Sequence, residues 1–111
     1  MQITIQQQGA VAVARPQGRL THEEAEAFLD RLGELTGRTL GRFVIDFSAI
    51  SFVDSRGLEV LLDLAEQMDQ SGQTLKLCGA HETVREVFDL TDIGHRFEHY
   101  EDTTTAVRSF L

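Results

Sequence analysis

The chain has 111 residues and a formal net charge of −8, with 41% apolar and 25% charged residues. That composition suits one soluble globular domain, residues 1–111, and argues against disorder. No apolar run approaches the roughly 20 residues that a membrane helix needs, so no membrane insertion is expected. An acidic surface without a dense Lys/Arg cluster makes direct DNA binding an unfit role. Cys78 is the sole cysteine, which excludes an internal disulfide and a zinc site built from cysteines. Its usage fits a reducing compartment, and Met1 to Ile5 carries no secretory pattern, so a cytoplasmic location is expected.

In chain order, Ile3 and Ile5 alternate with polar neighbours and predict a half-buried strand. A turn at Gly9-Ala10 leads into a second strand over residues 11–15, which Pro16 is expected to close, and the two strands would form a hairpin. Thr21 reads as a helix N-cap with Glu23 and Glu24 in the first turn, and Ala25, Phe28, Leu29, Leu32 and Leu35 share one face. Gly37 and Gly41 bracket the helix exit. Residues 43–47 form a nearly continuous apolar run, as a covered central strand requires.

A second helix is predicted from Ser55 to about Gln70, with Leu58, Leu61, Leu62, Ala65 and Met68 on its sheet-facing side. Val60 and Leu64 fall off that side, so the apolar stripe is wide, and it makes a weak dimer conceivable beside a monomer. Residues 73–78 predict a further strand with Leu75 and Leu77 on one face and Lys76 on the other. A short helix carrying Val84, Val87 and Phe88 follows, then a loop at residues 91–94. An edge strand at residues 97–100 and a helix at residues 103–110 complete the chain. The order ββαβαβαβα predicts an α/β fold: a mixed, mostly parallel sheet of about five strands with an antiparallel N-terminal edge, packed with about four helices.

The informative segment is FVIDFSAISFVDSRG, residues 43–57. It puts Asp54-Ser55 between a buried strand and a helix, at the rim of an α/β sheet where sites form. A helix amino terminus suits a phosphate, and a phosphoryl group on Ser55 adds about −1.5 to −2 charges. Ser and Asp are also the commonest helix caps, and on physics alone the cap is the favoured reading.

The segment resembles the STAS family of anti-sigma factor antagonists. The family pattern of apolar strand, Asp-Leu-Ser, apolar linker, Asp-Ser-x-Gly-Leu and apolar helix is matched by Asp46-Phe47-Ser48, Phe52-Val53 and Asp54-Ser55-Arg56-Gly57-Leu58. The likeness continues through Gly72 to Leu77 and Phe88 to Thr91, and so spans essentially the whole chain. The resemblance implies a STAS fold and a phosphoryl acceptor at Ser55. It also implies a partner surface that includes Asp54, Arg56, Gly57, Leu58 and Glu59, with Gly57 permitting close backbone approach. The implied partners are an anti-sigma factor of the histidine-kinase-like serine kinase type, which phosphorylates and releases the antagonist, and a phosphatase that resets it. The implied role is bacterial regulation of sigma-factor-dependent transcription, with no cofactor and no metal.

Departures from the family bear on the partner. Thr21 stands where many relatives carry an acid, Arg56 and Glu59 where they have small residues, and Asp92 where they have Gly. No catalytic residue is expected: Ser55 lies in no G-x-S-x-G elbow, no phosphate-binding glycine motif occurs, and the four histidines are scattered and read as surface or loop residues. Tyr100 and the phenylalanines read as core, and Cys78 as a small buried residue. A receiver domain shares the layout but lacks its acidic cluster here. The remaining alternative is a STAS subunit of a lipid-transport ABC complex or a stressosome scaffold, with no sigma factor involved.

Overall fold

The computed structural model describes residues 1–111. Alternation in the first residues makes strand β1 (Gln2–Gln8), and the turn after it returns the chain as the antiparallel strand β2 (Val11–Leu20). Pro16 does not close β2, contrary to expectation; it pairs with Ile3 inside the strand. Ala12 and Gly18, which share its parity, send their N–H groups away from β1 to the carbonyls of Arg42 and Ala49. Pro16 therefore has its missing donor on that far side, between the stretch of β2 paired to β3 (Phe43–Asp46) and the stretch paired to β4 (Ile50–Val53). A proline is tolerated where no ladder bond is needed.

Strand β4 is the sixth strand and was not expected, because Phe52-Val53 reads as a linker. It runs parallel to the end of β2, beyond a register shift at Gly18/Arg19. The remaining elements are α1 (His22–Thr39), α2 (Ser55–Asp69), β5 (Lys76–Cys78), α3 (Glu82–Leu90), β6 (Glu98–Tyr100) and α4 (Thr103–Arg108). The sheet order is β1-β2-β3-β5-β6 with β4 on β2, parallel throughout except for β1-β2. Mostly parallel pairing with one antiparallel edge is the α/β architecture expected from the element order.

Side-chain alternation along the strands divides the core. Ile3, Ala12, Ala14, Phe43, Ile45 and Leu77 face α1, α2 and α3, within a cluster of 24 buried residues. Val11, Val44 and Cys78 face α4 in a cluster of only four, so the first side carries the fold. Lys76 lies on the α4 side, as its parity requires. Its ammonium donates to Ser109 Oγ at 2.8 Å and stands 3.9 Å from the Phe110 ring centre. Phe88 joins the main core edge-on to Phe97, with ring centres 5.0 Å apart. Phe52 departs from the expectation that all phenylalanines are core: it is 43% exposed.

Helix α2 buries a different stripe from the one read in sequence. Gly57, Val60, Leu61, Leu64, Ala65 and Met68 are buried, while Leu58 and Leu62 are half-buried at the flank. At roughly 100° per residue, Leu61, Leu64 and Met68 fall within about 60° of one another, and Leu62 lies some 120° from Met68. Leu61 and Leu62 cannot both point at the sheet. Val60 and Leu64 are wholly buried in the main cluster, so the wide stripe is consumed by packing within the domain. Leu64→Ala is expected to cost about 2–5 kcal/mol, and Leu62→Ala under about 1.5 kcal/mol. Denaturant melts check this; equal costs for the two would contradict the assigned face.

Candidate functional site

The site forms where β2 and β4 end together and α1 and α2 begin. Asp54 has extended backbone and caps α2, its Oδ1 accepting from the Gly57 N–H at 2.8 Å. Its other oxygen, Oδ2, accepts from the His22 N–H at 2.9 Å, in the first turn of α1. Thr21 holds the N-cap position of α1, as expected, but its side chain makes no capping bond. One carboxylate thus serves the amino termini of two helices, and its bond to His22 spans 32 residues of sequence. The Asp54 N–H, in turn, donates to the Leu20 carbonyl at 3.1 Å.

Two positive helix ends and two N–H donors favour the ionised carboxylate. The Gly57 amide first, and then the His22 amide and ring, hold Asp54 below the ordinary carboxylate value of 3.8. The imidazole Nδ1 of His22 stands 3.6 Å from Oδ2.

Gly57 is buried and lies hard against the end of β2. A Cβ there would come within 2.4 Å of the Leu20 carbonyl oxygen and 2.9 Å of Val53 Cγ1. Only glycine lets α2 start this close to the strands. Ser55 is the first residue of α2 and is exposed. Because Asp54 supplies the cap, the Ser55 hydroxyl is not needed for one. The Ser55 and Arg56 amides also remain without a partner inside the helix, as first-turn donors do.

Arg56 is clamped. Its guanidinium bonds Glu26 of α1 and, at 2.9 Å, Glu59 one turn further along α2. Those two carboxylates, Glu26 first, raise the guanidinium above its ordinary value. Glu59 is exposed and Leu58 half-buried, so Ser55, Arg56, Leu58 and Glu59 present one rim while Gly57 acts from beneath it. Sequence reading missed Glu26, and it missed Phe52 and Arg19. The Arg19 guanidinium lies 4.8 Å from the Phe52 ring centre, beside an open groove of about 610 Å³ that also borders Thr21, His22 and Asp54. No spacing in the sequence links Arg19 to Phe52; only the β2-β4 pairing does.

Asp46 explains the first half of the family-like pattern. Its Oδ1 accepts from the Ser48 N–H at 2.9 Å, which turns the chain sharply out of β3 toward β4. Elsewhere, burial pushes the Cys78 thiol up to about 11, which makes it a poor nucleophile. His22, His81 and His95 are exposed as expected, whereas His99 is half-buried and its Nε2 accepts from the Ala80 N–H. No group of three His, Cys, Asp or Glu side chains is placed to hold a metal ion, and no helix is long and apolar enough to cross a membrane.

The model of the STAS domain matches residues 2–106. The chain belongs to the STAS domain family. It is 30% identical over 91 residues to BtrV of Bordetella bronchiseptica, a protein named as an anti-sigma factor antagonist, covering 82% of this chain and 78% of BtrV. The crystal structure of an anti-sigma factor antagonist of Thermotoga maritima superposes with a TM-score of 0.87 at 19% identity, covering 96% of this chain and 92% of the other. The phosphorylated form of SpoIIAA, a Bacillus cell fate determinant, superposes at 0.71 with 18% identity, covering 99% of this chain and 100% of that one.

The double cap is testable by substitution. Asp102 caps α4 through the Thr105 N–H alone. Asp54→Ala is therefore expected to lower the melting temperature at pH 7 further than Asp102→Ala, in scanning calorimetry of the two variants. The sign with pH follows from the depressed folded value. The Asp54 contribution is present above about pH 3.8 and is lost as pH falls through that lower value. In Asp54→Ala this part of the acid sensitivity should be missing; an unchanged acid profile would contradict the assignment.

Proposed function

We propose that the protein is an anti-sigma factor antagonist whose partner binding is switched off by phosphorylation of Ser55. The observation that carries this reading is the division of labour at the start of α2. Asp54 takes the capping role, and Ser55 stands exposed beside it with its hydroxyl uncommitted. The cap reading therefore holds for Asp54 and leaves the Ser55 hydroxyl outside it. Membership of the STAS family and the names of its relatives support the same reading.

On this proposal the anti-sigma factor, a serine kinase, covers the rim of Ser55, Arg56, Leu58 and Glu59, which Asp54 and Gly57 hold in place. Phe52 and Arg19 extend the rim with an aromatic and a cation, a composition suited to a protein interface. A phosphate on Ser55 is tolerated in the free protein, because α2 points its positive end at it. Beneath a partner the same phosphate must lose its water, and an unpaired buried charge costs several kcal/mol. A phosphatase would reverse the modification, and the protein would act in sigma-factor-dependent transcription in the bacterial cytoplasm by binding rather than by catalysis.

The test measures affinity for the captured anti-sigma factor with wild type, Ser55→Ala and Ser55→Asp, and locates phosphate by mass spectrometry after incubation with that partner and ATP. Phosphate on Ser55, retained binding by Ser55→Ala and a loss of about a thousandfold for Ser55→Asp are expected. Phosphate at another residue, or equal binding by all three, would overturn the switch. A captured transporter ATPase would put the chain in a transport complex instead.

A further inference from the structure

A second surface, distinct from the Ser55 rim, is the free edge of β1. We propose that two copies of this chain pair there, β1 against β1, to form one continuous sheet across a two-fold axis at Ile5.

β1 is an outer strand seven residues long, and β2 is its sole neighbour. The ladder fixes which groups face outward. Ala12, Ala14 and Pro16 lie opposite Gln7, Ile5 and Ile3, and that parity of β2 sends its backbone groups away from β1. Ile3, Ile5 and Gln7 are therefore the non-bonded members of the hairpin, and their own N–H and C=O groups point outward. The Arg31 side chain confirms the direction, reaching the Ile3 carbonyl from α1 at 3.4 Å. That oxygen keeps a second lone pair for another donor.

Proteins protect exposed edges with charges, prolines, bulges or very short strands. β1 itself has none of these, and Arg31 covers the edge only at its Ile3 end. Its sequence, QITIQQQ, carries no charge in a chain whose net charge is −8. Two such molecules repel each other over much of their surface but can approach along this line.

The occupant follows from self-complementarity. With Ile5 opposite its own mate, Ile3 falls opposite Gln7, Thr4 opposite Gln6 and Gln2 opposite Gln8. No like charges meet, and the polar pairs each contain a donor and an acceptor. The outward-facing residues Ile3, Ile5 and Gln7 are spaced evenly about the axis, so each finds an outward-facing partner. Ile5, 42% exposed and on the face of Ile3, gains a cover from its symmetry mate. The contact is small, which makes the dimer weak.

Sedimentation equilibrium on the full chain tests this, with Ile5→Lys and Gln7→Pro as edge variants and Phe52→Ser as a variant on the other exposed surface. Lysine at position 5 sets like charges on the axis, and proline at position 7 removes an outward donor without touching the β2 ladder. Wild type and Phe52→Ser should dimerise alike, both edge variants at least about tenfold more weakly, and the Ile5 and Gln7 amides should exchange more slowly at high concentration. If Gln7→Pro melts early, Ile5→Lys alone decides, since it alters only an exposed side chain. A wild type still monomeric at about 2 mM, or edge variants that dimerise like wild type, would overturn the proposal. Dimerisation lost in Phe52→Ser but kept in the edge variants would do so too.

Discussion

The carboxylate of Asp54 accepts one N–H from α1 and one from α2, and this pair of bonds sets the geometry of the whole site. Two helix amino termini brought side by side repel through their dipoles and leave first-turn donors unsatisfied. A single anion between them answers both problems. The arrangement requires β2 and β4 to end at the same level, which the bond from the Asp54 N–H to the Leu20 carbonyl enforces. It also requires α2 to start directly on the strands, which a side chain at Gly57 would prevent. The Arg56 bridge from α2 to Glu26 then ties the same two helices together on the outside.

This construction bears on the proposed switch. A modification site must be exposed and must not be holding the fold together, or adding a phosphate would unfold the chain before it could signal. Asp54 carries the structural duty and leaves Ser55 free of it. The clamp on Arg56 has a further consequence. A partner that needs this guanidinium must compete with Glu26 and Glu59, which hold it from two helices.

The sequence was legible wherever neighbouring residues carry the signal. Period-two alternation located β1, the apolar run located β3, and the Asp54-Ser55 pair located the start of α2. Long-range effects were hidden. Pro16 reads as a stop, because nothing nearby in sequence reveals that β2 changes partners beside it. Ile50 to Val53 reads as a linker, because a four-residue strand is recognised only by the β2 segment it pairs with. The face of α2 was misjudged because Leu58, Leu61 and Leu62 make an apolar arc that fits the sheet in two ways, and the packing of α1 chooses the one that buries Val60 and Leu64. Asp92 marks a smaller case. Its backbone is left-handed at φ 56, which accounts for the glycine common there in the family, and Asp tolerates it better than most residues. The second bond of Asp54, to His22, could not be read from spacing at all.

The most direct test of the double cap is an acid titration of the amide resonances of His22 and Gly57 by NMR. Both protons bond the same carboxylate, so both should shift together with one midpoint, and that midpoint should lie below 3.8, the ordinary value for Asp. In Asp54→Asn neither amide should titrate in this range. Separate midpoints for the two amides, or a His22 amide indifferent to the state of Asp54, would contradict the account.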